Sequence, residues 1–503
     1  MNLKWKLLIL LYLALLLPGV ASAQFTFTTN NGAITITGWT GTPKVLNIPS
    51  TTNGYLVTGI KWGAFENCFS VTNITVPDSV TILGESVFAY CTNLQSAILS
   101  TNVRIIGEDM FDGCCSLASF TIGNNVTNVS SCAFYRCTGL TNIIIGNAVA
   151  IIGSDAFSGC GRLAAIAIPD SVTNIGYSAF GFCSNLARAS IPDSAATIGD
   201  YAFYGCSNLI CVTLGNGVVE MGDYVFANCV KLTSVAIPNS TYSIGADAFC
   251  FCTGLTGVTI GTNVTSIGKE MFYSCSNLAN VDIPDSVTSI GNCAFQNCFR
   301  LTNAVIGSKV NSFGDNAFAN CFRLDRISIA HDINGIGNCA FQNCYSLSSV
   351  TVGHLKYGIG YCAFESCTNL RSVFFEGNAP TDVGVDIFYN SFNFREISAT
   401  VYYLPGTTGW GLTFGGLPTA LWNPRVVTSD ANFGVETNQF RFEIVGSSNS
   451  VIVVEASTNL VDPVWSAVST NTLNTFRGTN GTAYVSDAQW TNYSCRFYRL
   501  RIP

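Results

Sequence analysis

The chain is 503 residues long with a formal charge of −7, and only 11% of its residues are charged, against about 25% in a typical protein. So sparse and net acidic a set of charges provides no field to attract phosphate backbones, which excludes nucleic acid as the expected partner. The positive mean hydropathy comes from apolar residues spread one per few positions, so it signals core rather than membrane span.

The first 23 residues read as an address. Lys4 and Lys6 precede an apolar run at 7–17, and Ala21-Ser22-Ala23 then offers a small-residue cleavage site. This pattern is that of a secretory signal peptide, cut near Ala23 to leave Gln24 first. Eleven apolar residues fall short of the roughly 20 needed to cross a bilayer as a helix, and no later stretch comes close, so no span is expected in the mature chain. Residues 24–60, with Ala33-Ile34-Thr35-Ile36-Thr37 and Val45-Leu46-Asn47-Ile48-Pro49, read as an irregular capping coil that shields the first edge of the core.

From Phe65 to Phe364 a phenylalanine recurs every 23 residues without an insertion, giving fourteen coils. A cysteine stands three residues after each, from Cys68 to Cys367, and a leucine six residues after all but the first, where Val71 substitutes. Counting from each Phe as zero, apolar residues recur at −1, 0, +3, +6, +9, +11, +15 and +18; in one coil these are Met271, Phe272, Cys275, Leu278, Val281, Ile283, Val287 and Ile290. The alternation at +9 and +11 has the two-residue period of a half-buried strand. Pro284-Asp285-Ser286 after it, and Gly123-Asn124-Asn125 elsewhere, supply turn chemistry for a corner. Glycine at +19, as at Gly84, Gly153 and Gly291, marks a tight bend, and the return carrying Ala-Phe-x-x-Cys is too short for more than a helical turn or two. A single coil leaves its strand unpaired and its apolar edge open; stacking the coils closes both and piles the rings at favourable aromatic spacing.

The unit Leu-Thr-Asn-x-x-Ile-Pro-Asp-Ser-Val-Thr-x-Ile-Gly-x-x-Ala-Phe-x-x-Cys-x-x-Leu resembles the BspA-type leucine-rich repeat of bacterial and protozoan surface proteins, over about two thirds of the chain. The resemblance implies a β-rich α/β solenoid, a right-handed leucine-rich-repeat stack of about 14 coils. It also implies a surface or secreted binding protein, since some family members are adhesins for host matrix proteins. It names no binding residue.

The expected organisation is a signal peptide at 1–23, a capping coil at 24–60, the solenoid with its C-terminal cap at 61–402, a closing segment and linker at 403–424, and a C-terminal β domain at 425–503. The run Tyr402-Tyr403-Leu404-Pro405-Gly406 through Trp410 is similar to the closing segment of other secreted proteins with these repeats. Beyond it, short strand-like runs such as Phe440-Arg441-Phe442-Glu443-Ile444 and Val451-Ile452-Val453-Val454-Glu455 alternate with Ser/Asn/Thr turns, which predicts a small all-β, sandwich-like domain. Its Glu455-Ala456-Ser457-Thr458-Asn459-Leu460 and Phe497-Tyr498-Arg499 resemble a tail module common on exported bacterial proteins.

The cysteine ladder reads as buried thiols filling small apolar spaces, because parallel Cβ vectors one rung apart exceed the usual separation of about 3.8 Å for a bridge. Cys339 and Cys362, at −2 on adjacent coils, are the best candidates for a disulfide. His331 and His354 share the +13 corner, and two ligands alone make a poor metal site, so neither is assigned one. No HExxH, GxSxG or P-loop occurs, and no carboxylate pair recurs. Neither catalytic residue, cofactor nor metal is therefore expected, and the chain is read as non-enzymatic.

The outward strand position +10 carries one aromatic residue, Phe374, so that face lacks the several rings a glycan groove needs. The +4 corner differs: Phe299, Phe322 and Tyr345 occupy three successive coils beside Arg300 and Arg323, at a position that is usually Thr, Ser or Gly, as in Thr92, Thr138, Ser184, Ser207 and Thr253. These five residues are the candidate partner site, for an extracellular protein or polymer. The leading function is adhesion or matrix binding by a secreted or cell-surface protein. Two alternatives stand beside it: a structural envelope or matrix component without a specific ligand, and the targeting arm of a glycan-processing system.

Overall fold

The computed structural model describes residues 24–428, 433–436, 439–447, 451–461, 463–475 and 480–501. The signal peptide at 1–23 lies outside the described residues. The chain divides into two compact units, one ending at Ala189 and the other beginning at Ser190.

In the first unit the capping segment starts both ladders of the solenoid. Gln24–Asn30 pairs antiparallel with Ala33–Thr40, which pairs parallel with Tyr55–Ile60, and that strand pairs with Ile82–Leu83. Val45–Asn47 opens the ladder of +8 to +10 strands against Asn73–Thr75. Phe25 meets the ring of Phe65 edge-on at 6.2 Å and Trp39 lies 6.3 Å away, so the first rung of the core is covered by aromatic surface.

Each coil then contributes two strands, of which the sequence pattern showed one. Asn142–Ile144, at +8 to +10 and so around the anticipated alternation, pairs parallel with Ser119–Thr121 of the preceding coil. A second ladder runs through two-residue strands at +17 and +18, such as Ile105–Ile106, Asn128–Val129, Ile151–Ile152 and Asn174–Ile175. Two residues are too few to show a period, which is why the pattern did not disclose them. The eight inward positions are buried as expected: from Met271 to Ile290 none of the eight residues is more than 3% exposed. The rings stack at 5.2–5.8 Å from Phe65 to Phe180 in the first unit. In the second unit they stack at 5.0–5.7 Å from Phe203 to Phe364 and on to Phe388.

The return is built from turns, and the helical residues described are confined to the short 3-10 segment Trp490–Asn492. Its tight points are not at the +19 glycines. The residues at −2 and +2 adopt left-handed φ coil after coil, as in Ser86 at 53° and Tyr90 at 57°, or Glu270 at 54° and Ser274 at 57°. Left-handed φ costs a non-glycine residue about 1–2 kcal/mol. What it secures is an alternation of peptide direction. The N–H groups of Ser86, Phe88 and Tyr90 donate to the Glu108, Met110 and Asp112 carbonyls of the next coil, while those of Ala89 and Cys91 close local turns on Ser86 and Phe88. Each buried donor left unmade would cost about 1–3 kcal/mol, so the strained backbone is the cheaper arrangement. The +19 glycines answer a different need: a Cβ on Gly153 would lie 2.7 Å from the Ser130 backbone, and one on Gly291 2.8 Å from the Lys269 nitrogen. At Gly107, whose coil carries the bulkier Met110 at −1, the nearest atom retreats to 3.1 Å.

Side chains extend the coil-to-coil bonding. The Cys114 thiol donates to the Phe88 carbonyl at 3.2 Å and Cys275 to Phe249 at 3.2 Å, so the ladder cysteine is a donor as well as a filler. At the +13 corner Asp78 accepts from the Thr101 N–H at 2.8 Å and Asp285 from the Ser308 N–H at 2.7 Å. These bonds hold both carboxyls below the usual aspartate range. Threonine at +7 donates across the corner, Thr141 to Ala118 and Thr302 to Ala279, each at 3.0 Å.

The second unit has the same two ladders, which merge into single eleven-residue strands at Arg326–Ile336 and Ser349–Ile359. Thr400–Tyr403 pairs parallel with Ser372–Phe375, and Leu417–Leu421 pairs parallel with Thr400–Tyr403. After these come two antiparallel sheets. One holds Arg425–Val427, Gln439–Ser447 and Asn480–Asp487; the other holds Ser466–Thr472, Val451–Ser457 and Phe497–Arg501. Phe442, Ile444, Ile452, Val454, Leu473 and Val485 form their shared core, which is the anticipated sandwich.

That core also contains Phe374, Tyr402 and Trp422. Phe374 was expected on an open outer face; it is 0% exposed and stacks on Tyr402 at 5.2 Å. Ser349, Thr351 and Ser372 on the same face are buried as well. The sign was present in Ser372–Phe375, where Phe374 and Phe375 stand side by side without the alternation of a one-faced strand. In the second sheet the buried Glu455 receives Arg499 and Arg501, each at 2.7 Å. Burial works against its charge, but the two guanidinium groups prevail and hold the carboxyl below the usual range. The tail motif's Glu455 and Arg499 are therefore partners across one strand pair.

Replacing Phe203 by Ala leaves a cavity in the stacked core and is expected to cost about 3–5 kcal/mol in denaturant melts. Thr213→Ala, on the exposed strand face, should cost far less; equal effects would refute the inward assignment of the ring.

Candidate functional site

The +4 corner brings its three rings into one column. Phe299 and Phe322 stack at 4.9 Å and Phe322 and Tyr345 at 5.0 Å, with planes within 16°. Phe392, at the same position of the irregular coil two further on, past Thr368, meets Tyr345 at a tilt at 5.8 Å and is itself well exposed. Phe299 is 39% exposed, whereas Phe322 and Tyr345 are half-buried by their neighbours. The rings thus cover one another's faces and present edges and one open end. Arg300 and Arg323 are exposed beside them and have neither an ion-pair nor a hydrogen-bond partner among the described residues.

A second constellation, not foreseen from the sequence, lies along the left-handed −2 column and the neighbouring +1 position. Tyr201 and Tyr224 stack there at 4.8 Å, followed one coil at a time by Asp247 and Glu270. Asp247 is 3% exposed, and its carboxylate, the Cys250 thiol and the Glu270 carboxylate place one donor atom each within 4.8 Å of the others. Lys269 bonds Glu270 at 3.3 Å. Burial, the adjacent Glu270 charge and a bond to Glu270 raise the Asp247 carboxyl above the usual aspartate range. Cys250 is pushed up to about 12 by burial and the same carboxylates, and Tyr224 to about 12 by the charge of Asp247. Reading the −2 column vertically would have found the two carboxylates, Asp247 and Glu270, which stand 23 residues apart, with Cys250 at +1 beside Asp247.

His354 lies at an exposed corner with Nδ1 3.7 Å from Asp332 Oδ1; the side chain of His331 lies outside the described residues. The cysteines, Cys339 and Cys362 included, are free thiols. Burial pushes ladder thiols such as Cys137, Cys183 and Cys344 up, the last two to about 12, whereas the bond with Cys91 lowers Cys68 at the first rung.

The paired parallel ladders and stacked rings define a leucine-rich-repeat β-solenoid. The chain belongs to the BspA type leucine-rich repeat family, whose repeat region matches residues 58–187, 127–256, 183–302 and 288–403. Among solved structures it is similar to a leucine-rich repeat protein from Bacteroides ovatus ATCC 8483, at 29% identity over 71% of this chain and 93% of that one, with a TM-score of 0.63. It is also similar to a leucine rich cell surface protein from Faecalibacterium prausnitzii A2-165, at 27% identity over 71% and 95%, with a TM-score of 0.37. No curated protein matches the chain significantly. Among the described residues no helix is long and apolar enough to cross a membrane.

Two outcomes test this arrangement. Brief alkylation of the folded chain is expected to label the exposed Cys115 and Cys495 ahead of the ladder thiols, read by peptide mass spectrometry; bridged neighbouring pairs along the ladder would contradict it. Because Asp247 is raised in the folded state, its contribution to stability is present below the usual aspartate range and is lost as pH rises through the raised value. Asp247→Asn, with Tyr224, Cys250, Glu270 and Lys269 around it, should therefore gain stability relative to the parent as melts move from pH 4 to pH 7.

Proposed function

We propose that this is an exported, non-enzymatic repeat protein that adheres to an extracellular protein or matrix polymer. The observation that carries the reading is the ring column of Phe299, Phe322 and Tyr345 with the exposed Arg300 and Arg323 beside it. The coil closes well with Thr or Ser at that corner, so its own packing does not call for rings there. Aromatic and arginine side chains are the types that concentrate binding energy, and the two exposed cations favour an acidic patch on the partner. Family membership supports a surface protein-binding role, and the leader pattern of Lys4, Lys6 and Ala21-Ser22-Ala23 supports export with cleavage near Ala23. The working division remains a solenoid at 61–402 between the 24–60 cap and the segments 403–424 and 425–503.

The test compares the parent with a Phe322→Ser, Arg323→Ser variant in binding to immobilised extracellular-matrix protein. The variant should lose at least about tenfold in affinity with its fold intact. Equal binding would remove the site, and a lowered melting point with equal binding would assign the rings to packing.

A further inference from the structure

The second ladder carries a groove whose lining departs from the repeat in the same manner as the +4 corner, at a different place on the coil. Its floor is made of Ser312–Phe313, the ends of the two long strands at Gly335, Ile336, Gly358 and Ile359, and Asp382–Val383, and it encloses about 480 Å³. The glycines follow from coil contact: a Cβ on Gly358 would collide with the Asp382 carbonyl. The walls do not. Tyr357 and Tyr361 line the groove at 60% and 57% exposure, at positions where the preceding two coils hold Asn311 and Asn334, or Asp315 and Asn338. The corresponding groove of the first unit, lined by Glu85, Glu108, Asn128, Ser130 and Gly153 among others, has no ring.

We propose that this groove binds a neutral oligosaccharide, with Tyr357 and Tyr361 stacking on sugar faces and Asp315, Asn338 and Asp382 bonding to hydroxyls. Three observations select that ligand. No Lys or Arg lines the groove, and two carboxylates do, which disfavours an anionic glycan. The floor strands at 335–336 and 358–359 are paired on both sides, so an extended peptide finds no free edge to join. The polar groups retain capacity: Asn338 uses Oδ1 on the Tyr361 N–H at 2.9 Å, which leaves its amide to donate, and Asp315 uses Oδ1 on the Asn338 N–H at 2.7 Å, which leaves the other oxygen to accept. Lys356 lies 5.1 Å from the Tyr357 centroid, on one face of the ring, and the other face is the one assigned to sugar. Four strands at about 4.8 Å spacing give roughly 14 Å of groove, the reach of a short oligosaccharide.

The experiment is calorimetric titration of the purified chain with β-1,4-linked hexasaccharides of glucose, mannose and N-acetylglucosamine, and with a heparin hexasaccharide as anionic counter-probe. Saturable binding of a neutral hexasaccharide is expected, weakened at least about tenfold by Tyr357→Ala with Tyr361→Ala at an unchanged melting temperature. Should that pair lower the melting temperature, the exposed change Asp382→Ala decides alone, with weaker binding expected. Failure of all three neutral sugars to bind, preference for heparin, or undiminished binding by the variants would overturn the assignment. Phe322→Ser with Arg323→Ser should leave sugar binding intact, so this result stands apart from that of the adhesion site.

Discussion

Translation by one coil is the constraint on which the rest depends. A coil closed by left-handed residues at −2 and +2 points alternate peptide N–H groups at its neighbour, and these find partners only if the next coil places its carbonyls in the same register. The uninterrupted 23-residue period from Phe65 to Phe364 keeps the Phe ring, the cysteine donor and both strand ladders in register together, and the single extra residue before Phe388 is taken up between Ser372–Phe375 and Asp382–Val383, where pairing and ring stacking continue. The ring stack contributes attraction without direction. The hydrogen bonds, which are directional, keep the period strict.

The same constraint explains a composition rich in Thr, Ser and Asn and poor in charge. Corner side chains such as Asp78, Asp285, Thr141 and Thr302 spend their polar atoms on the adjoining coil. A lysine or glutamate column at such sites would stack like charges at one-strand spacing, at a cost on every rung. Where carboxylates do meet, as at Asp247 and Glu270, a raised Asp247 carboxyl is the consequence. Much of the surface is thus occupied with holding the stack, and residues that the stack does not require stand out as candidates for binding.

The second unit shows how the outer strand face is closed off at one end. Phe374, Tyr402 and Trp422 belong to the same core as Phe442 and Ile452, so the last parallel strands and the two antiparallel sheets share a hydrophobic interior. Burying Phe374 in this way covers Ser349, Thr351 and Ser372 on the same face, which leaves the two ring-bearing departures, at the +4 corner and above the second ladder, in other sectors of the coil.

By itself the sequence determined the period, the inward set, the parallel stacking and the anomaly at Phe299, Phe322 and Tyr345, because each is a matter of spacing along the chain, and a repeat converts spacing directly into position. Three things were decided by the tertiary structure. The two-residue strands such as Ile151–Ile152 exist only through pairing between coils and carry no period of their own. The left-handed sites at −2 and +2 are filled by Ser, Tyr, Asp, Glu, Cys and Asn alike, so residue type does not mark them. The groupings of Asp247 with Glu270, and of Tyr357 and Tyr361 with Asp315 and Asp382, join residues from different coils. Their chemistry arises from contact across the stack, and the three-dimensional distance between coils sets it rather than the order of residues.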